Sequence, residues 1–125
     1  MERDYERELA PLCLELGLPC LPYYALAQGF LAGKYRPDQV LPPGPRSQAA
    51  AAYLDARGRV VLAALDRAAA SHRTSQAAIA LAWLRAQPTV AAPIASARNA
   101  EQLKRLLAPV EVTLDEVEEL SVASS

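Results

Sequence analysis

Two short apolar segments decide the fold: LPCLPYY at residues 18–24 and TVAAPIA at residues 89–95. Neither has apolar residues at helical spacing. The first is interpreted as a strand, although Pro19 and Pro22 cannot donate to a sheet ladder, and the second as a short buried strand. Segments with helical spacing lie before, between and after them. Strands that alternate with helices indicate βαβ units, in which a right-handed crossover joins parallel strands. The sequence therefore predicts an α/β protein with two parallel strands and surrounding helices.

The first helix signal precedes the first strand, and its apolar residues share one face: Tyr5, Leu9, Leu12 and Leu16. Pro11 lies within this pattern, so the helix either starts near Ala10 or is kinked there. Gly17 follows the last periodic residue and is the expected stop.

Between the strands, residues 36–47 contain four prolines and are predicted to form a surface loop. Two helices are expected next, divided at Gly58. The longer of the two shows an apolar face made of Val61, Ala64, Leu65 and Ala68.

Capping residues mark the helices that follow. Thr74 or Ser75 is expected to cap a helix that Pro88 ends. Another helix follows the second strand. Thr113 and Glu116 form a T-x-x-E capping box ahead of the last helix.

Composition limits the kind of protein. The chain has 125 residues, about one domain, and a net charge of −1, which does not favour a nucleic-acid partner. No apolar run approaches a membrane span, and a cytoplasmic protein is expected. Cys13 and Cys20 are too few for a disulfide framework and are expected to be reduced, buried thiols. Because a two-stranded sheet is marginal in water, the chain is expected to be a piece of a larger α/β domain.

GFLAGKY, at residues 29–35, invites comparison with a phosphate loop. The Walker pattern has four residues between its glycines, and Ser or Thr after its lysine. Here three residues separate Gly29 from Gly33, and Tyr35 follows Lys34. A glycine-permitted turn with Lys34 in solvent is the simpler interpretation.

The segment after the second strand is a second candidate for anion binding. Small residues lead from the strand into Arg98, and a helix begins there. Ligands of parallel α/β proteins bind at the carboxyl ends of strands, where a helix N-terminus and a guanidinium suit a phosphate. An ordinary capped helix with a solvated Arg98 is the equal alternative.

Other chemistry is not indicated. His72, the one histidine, is expected to be an exposed loop residue. No set of residues has metal-ligand spacing, and no serine lies in a nucleophile elbow. The acids of the last helix, from Asp115 to Glu119, are expected to be solvated.

Three segments together resemble the C-terminal half of the aldo-keto reductase family: ERDYERELAPLCLELGL (2–18), LPYYALAQGFLAGKYRP (21–37) and ALAWLRAQPTVAAPIASARNAEQL (80–103). The second is similar to the family's YSPLAxGxLTGKY segment, and the third to ALAWLLAQP…PIxGxRxxxQL. The resemblance implies a partial TIM (β/α)8 barrel, of which residues 1–125 would hold the seventh and eighth strands. Its partner would be the missing N-terminal half or a second copy of the chain.

That family reduces aldehydes and ketones with NADPH, so the resemblance implies a set of cofactor residues. Tyr23 would stack on the nicotinamide ring, and Leu26, Gln28 and Gly29 would wrap the pyrophosphate; Lys34 matches the lysine of GKY. The second set would hold the 2′-phosphate and the adenosine: Ser96, Ala97, Arg98 and Gln102.

The sequence also departs from the family's pattern. Leu106 replaces an asparagine that contacts adenine, and Ser96 replaces a frequent glycine. The catalytic Asp, Tyr, Lys and His come from earlier strands, and their motifs do not occur here. We therefore expect the chain alone to be inactive towards a carbonyl substrate. The alternative is a non-catalytic nucleotide-binding or self-associating half-barrel module.

Overall fold

The computed structural model describes residues 1–125 and contains six α-helices and one short 3₁₀ helix. The 3₁₀ helix spans Ala27–Ala32. The α-helices are α1 (Asp4–Leu16), α2 (Ser47–Ala51), α3 (Ala56–Ser71), α4 (Gln76–Arg85), α5 (Ala100–Leu106) and α6 (Leu114–Ala123). None of them combines the length and apolar character that crossing a bilayer requires.

The two segments predicted as strands pair in parallel, but through a single bridge between Cys20 and Val90. The N–H of Cys20 donates to the carbonyl of Thr89 at 2.7 Å, and the N–H of Ala91 donates to the carbonyl of Cys20 at 2.9 Å. This alternation is the hydrogen-bond pattern of a parallel ladder. The pairing therefore has the expected direction and a much shorter extent. The prediction of a buried second strand was wrong, because Ala91, Ala92 and Ile94 are exposed.

Two prolines explain why the ladder stops. In parallel pairing the next donors would be the N–H groups of residues 22 and 93, and both positions are proline. The N–H of Ile94 donates to the carbonyl of Pro22 instead, at 3.1 Å. The segments therefore stay together past the bridge without regular strand geometry.

Helix α1 passes through Pro11 without interruption and ends where the sequence predicts. Gly17 adopts a left-handed conformation, with φ of 63°, and its N–H caps the last turn. The helix buries none of its residues completely. Its leucines are exposed, among them Leu9 at 53% and Leu12 at 47%, so the leucine part of its apolar face has no partner within the chain.

The boundary between α2 and α3 lies at residues 52–55, so the prediction of a break at Gly58 was wrong. Asp55 is the N-cap of α3, and its carboxylate accepts a hydrogen bond from the N–H of Gly58 at 2.7 Å. Gly58 is needed for space: a Cβ there would lie 1.7 Å from the carbonyl oxygen of Tyr53 and 3.1 Å from the ring of Phe30.

The core lies between α3, α4 and α6. The face of α3 predicted from periodicity is buried, and it packs with α4 and α6 in one cluster: Val61, Ala64, Leu65, Ala68, Ala69, Ile79, Ala80 and Leu120. A second cluster joins the 3₁₀ helix to α2 and α3: Ala27, Phe30, Tyr35, Ala50 and Leu62. The tyrosine-to-tyrosine segment 23–35 is thus anchored on the helical layer.

The predicted caps are confirmed. Ser75 caps α4 by accepting a hydrogen bond from the N–H of Ala78, and Thr113 with Glu116 forms the capping box of α6. His72 differs from its prediction as an exposed loop residue. It is the C-cap of α3, and its Nε2 lies 2.8 Å from a carboxylate oxygen of Glu116. Helices α3 and α6 are therefore joined by a His–Glu pair.

The cysteines are unpaired and only half-buried. The hydroxyl of Tyr5 donates to Thr89 Oγ1 at 2.8 Å, which ties α1 to the second apolar segment. Hydrogen bonding with the Cys20 thiol, together with burial, raises the pKa of Tyr5 to about 12. The hydrogen bond from Tyr5 to Thr89 therefore holds α1 against the bridge.

Candidate functional site

The two segments expected to bind a cofactor meet where the parallel bridge ends. The hydrogen bond from Ile94 to Pro22 holds them together at 3.1 Å. Tyr23 follows Pro22 directly, and the small residues leading to Arg98 follow Ile94. The first residues of both candidate segments thus lie side by side at the carboxyl end of the pair.

Two tyrosines occupy the start of the first segment. The ring centroids of Tyr23 and Tyr24 are 4.3 Å apart, and the rings are tilted by 55°. Tyr23 is 72% exposed, so most of its ring is open to a ligand. Tyr24 adopts a left-handed backbone conformation, with φ of 59°, and this turn directs the chain into the 3₁₀ helix.

Leu26 is the N-cap of the 3₁₀ helix, and a tight turn interrupts that helix after Ala27. Gln28 and Gly29 have φ angles of 57° and 96°. A Cβ on Gly29 would lie 3.6 Å from Lys34 Cε, so the lysine side chain lies over this turn. Lys34 Nζ is 5.2 Å from the centroid of the Tyr35 ring, and the residue is exposed.

The second segment is ordered by its own polar side chains. Asn99 caps α5 by accepting a hydrogen bond from the N–H of Gln102 at 2.9 Å. The side chain of Gln102 in turn accepts a hydrogen bond from the N–H of Arg98, also at 2.9 Å. Ser96 and Arg98 are exposed, and Ala97 is half-buried. The guanidinium of Arg98 has no acidic partner, so it is open to an anion.

Next to Tyr23 lies a largely apolar cavity of about 330 Å³. Helices α3, α4 and α6 form its floor, and Tyr23, Tyr24 and Gln28 line its rim. Burial and the nearby Glu2 carboxylate raise the pKa of Tyr53, which also lines it. The cavity could accept a flat ring, because apolar and aromatic walls are the usual lining of small-molecule sites.

Behind Lys34 lies a polar network that the sequence did not reveal. Arg36 makes a bidentate ion pair with Asp66, with N–O distances of 2.7 and 2.9 Å. The amide nitrogen of Gln76 donates to Asp66 Oδ1 at 2.5 Å and to the carbonyl of Leu62 at 3.3 Å. No local motif links these residues, because they come from a loop and two helices. In the sequence, the one recognisable signal near these residues is the N-cap Ser75, which directly precedes Gln76.

The amide oxygen of Gln76 is buried and accepts no hydrogen bond. It faces Gly33, where a Cβ would lie 2.9 Å from it. Gly33 has φ of 85°, so its conformation favours glycine, and a Cβ there would also displace the Gln76 amide.

Metal binding has no support in this geometry. No group of three or more His, Cys, Asp or Glu side chains is placed to hold an ion. His72 and Glu116 make a pair between helices, away from both candidate segments.

Comparison with known proteins identifies relatives over almost the whole chain. The model of the Aldo/keto reductase family matches residues 1–122. Probable aldo-keto reductase 1 of Glycine max is 33% identical over 119 residues, which cover 91% of this chain and 34% of that protein. The uncharacterized oxidoreductase YrpG of Bacillus subtilis (strain 168) is 34% identical over 115 residues, with 92% and 34% covered.

The fold is similar to that of a solved structure, the glycerol dehydrogenase of Gluconobacter oxydans. The superposition has a TM-score of 0.75 at 22% identity, and it covers 98% of this chain and 38% of that one. The chain thus spans about a third of the length of the curated relatives it matches. This share is smaller than the C-terminal half that the sequence resemblance implies.

Proposed function

The chain belongs to the aldo/keto reductase family, and from this premise we propose that it is the NADPH-binding C-terminal portion of an oxidoreductase. In the intact enzyme, NADPH would supply hydride to an aldehyde or ketone. The chain would contribute the last part of a (β/α)8 barrel, with Cys20 and Val90 on two neighbouring parallel strands.

One observation carries this proposal: the hydrogen bond between Ile94 and Pro22 joins the beginnings of both nucleotide segments. The carboxyl ends of parallel strands are where α/β proteins bind ligands. Tyr23 and Arg98 follow these ends on the two segments. A dinucleotide that reached from one segment to the other would contact both.

The residues present fit the chemical parts of NADPH. Tyr23 offers an exposed ring face to a nicotinamide, beside an apolar cavity. The turn at Gln28 and Gly29, which Leu26 precedes, lets backbone approach a pyrophosphate, and Lys34 lies over it.

The second segment fits the adenosine end. Arg98 is unpaired, and a guanidinium suits the 2′-phosphate that distinguishes NADPH from NADH. Ser96 and Ala97 are small enough for close approach of the backbone, and Gln102 orders the turn through the N–H of Arg98. These residues would bind and orient the cofactor. The acid that protonates the carbonyl oxygen would come from outside this chain.

The open side of the molecule supports a partner. Helix α1 presents half-exposed leucines, and no further strand pairs with the Cys20–Val90 bridge on either side. We infer that either the rest of a barrel or a second copy of this chain covers this face. The second case is the alternative function, a self-associating nucleotide-binding module without chemistry.

Calorimetric titration of the 125-residue chain with NADPH tests the proposal. We expect saturable binding and competition by adenosine 2′-monophosphate, with little competition by the 5′-monophosphate. Tyr23→Leu should weaken NADPH binding and leave the affinity for adenosine 2′-monophosphate unchanged, because the ring is assigned to the nicotinamide end. A chain that folds cooperatively and binds neither NADPH nor the 2′-monophosphate would refute the assignment.

A further inference from the structure

Lys34 lies between one residue that pairs with Asp66 and one that lies against a hydrogen-bond partner of Asp66. Arg36, two positions after it, pairs with both oxygens of Asp66. Gly33, just before it, is pressed against the amide oxygen of Gln76, whose amide nitrogen donates to Asp66. Asp66 therefore links both sides of the lysine to α3.

Two residues next to Lys34 are buried, as expected for residues that hold its turn in place. Gln76 is 6% exposed, and its amide oxygen is buried without a hydrogen bond. Tyr35 is 2% exposed and packs in the core next to Lys34. A buried, unsatisfied polar atom destabilises a fold and calls for an explanation. Here that atom lies against Gly33, in the turn just before the lysine.

We propose that Asp66 is a positioning residue, which acts through Arg36 and Gln76 to hold the Gly33–Arg36 turn and keep the Lys34 ammonium over Gly29, ready for a phosphate group. The proposal rests on the proposed function, because it takes the anion to be the pyrophosphate of NADPH. It goes further by assigning a role to three residues that are not among the expected cofactor residues: Arg36, Asp66 and Gln76. Preorganisation of this kind lowers the conformational entropy lost on binding, particularly for a long lysine side chain.

A double-mutant cycle tests this role. Asp66→Asn keeps the shape of the side chain and removes its charge. We expect it to weaken NADPH binding about tenfold, and Lys34→Ala to have a similar effect. If Asp66 acts through Lys34, the double variant should bind no more weakly than Lys34→Ala alone. Additive effects, or unchanged affinity in Asp66→Asn, would overturn the proposal.

Arg67→Ala is the matched control. Arg67 is the next residue on α3, and it also makes an exposed ion pair, with Glu119 of α6. Its removal should leave NADPH affinity unchanged within twofold. A loss as large as that of Asp66→Asn would mean that general stability of α3, and not the position of Lys34, controls binding, and would likewise refute the role.

Limited trypsin digestion measures how firmly the Gly33–Arg36 turn is held, in the absence of nucleotide. Trypsin cleaves after Lys34, whereas the bond after Arg36 resists because Pro37 follows. Asp66→Asn should raise the rate of cleavage after Lys34 about tenfold over Arg67→Ala. Arg36→Ala, which removes the other partner of the ion pair, should do the same if Asp66→Asn folds poorly. An unchanged rate in both variants would overturn the positioning role.

The two measurements separate this inference from the proposed function. If the wild-type chain binds no NADPH, the proposed function fails, and with it the assignment of a pyrophosphate. If it binds NADPH and the cycle shows no coupling, only the role of Asp66 fails.

Discussion

The carbonyl oxygen of Pro22 accepts a hydrogen bond from the N–H of Ile94 at 3.1 Å, one residue beyond the position that regular pairing would use. The shift arises because residue 93 is also a proline and has no N–H to donate. It places Tyr23 and the approach to Arg98 at the same end of the pair. The proposed cofactor site depends on this irregular contact more than on a sheet.

Arg98→Ala should weaken NADPH binding about 10- to 100-fold and change NADH binding by less than twofold. A charged hydrogen bond of about 1.5–3 kcal/mol to the 2′-phosphate accounts for that range. Fluorescence titration with both cofactors measures it. Arg105→Ala, which removes the i,i+4 pair with Glu101, serves as the control for charge loss near α5. Equal weakening of NADPH and NADH by Arg98→Ala would show that Arg98 does not contact the 2′-phosphate.

The 125-residue chain should not oxidise NADPH in the presence of an aldehyde or ketone. No residue of the chain is assigned as the acid that would donate a proton to the carbonyl oxygen. Absorbance at 340 nm follows the reaction, with a carbonyl-free sample giving the background. A rate above that background, proportional to protein concentration, would contradict the expectation.

Gly58→Ala should destabilise the fold by about 1–3 kcal/mol, because the new methyl group must displace the carbonyl of Tyr53 or the ring of Phe30. Thermal unfolding should show a melting temperature lowered by roughly 4 °C or more. Ala63→Leu adds a larger group on an exposed position of the same helix and should leave the melting temperature nearly unchanged. The opposite order of the two effects would argue against the packing seen at Gly58.

The His72–Glu116 pair should make stability depend on pH in the acid range. Hydrogen bonding from the backbone of Thr113, followed by that from His72, lowers the pKa of Glu116 below its ordinary value of 4.5. A lowered folded-state pKa contributes stability that is present above that ordinary value and is lost as pH falls through the folded-state value. Denaturant unfolding of wild type and Glu116→Gln should therefore differ most above pH 5, and the difference should shrink below pH 4.5. A difference that stays constant down to pH 3 would not agree with a lowered pKa of Glu116.

The exposed face of α1 should mediate self-association when no other partner is present. Leu12 is 47% exposed, and Leu12→Glu should shift the chain towards monomer in analytical ultracentrifugation because it places a charge in the apolar contact. Leu114→Glu, on an 87% exposed leucine of α6, is the matched control and should not change the distribution. A wild-type chain that is monomeric at all concentrations would exclude the self-associating alternative.

Local signals in the sequence predicted the ends and faces of helices well. Gly17, Ser75 and Thr113 each act within one helical turn, so the chain on either side is enough to identify them. The buried face of α3 also follows from spacing alone. The direction of pairing between the two apolar segments was predictable in the same way.

What the sequence did not reveal depends on residues far apart along the chain. The break before α3 is the exception, because Asp55 caps that helix through the nearby N–H of Gly58; only the contact of Gly58 with Phe30 depends on a distant residue. Pairing of His72 with Glu116 spans 44 residues, and that of Arg36 with Asp66 spans 30. Periodicity carries no information about such contacts, so the polar network next to Lys34 is evident only in the folded structure.

The prolines that shorten the parallel pair have a consequence for solubility. An apolar strand edge without a neighbour is a template for intermolecular β-pairing and, in the extreme, for amyloid. Pro19 removes an N–H group from the outer edge of the first segment, and Pro22 and Pro93 end the regular strand geometry past the bridge, so an incoming chain cannot add a long cross-β ladder. The same residues that leave this sheet incomplete therefore act as gatekeepers against aggregation while its edges are uncovered.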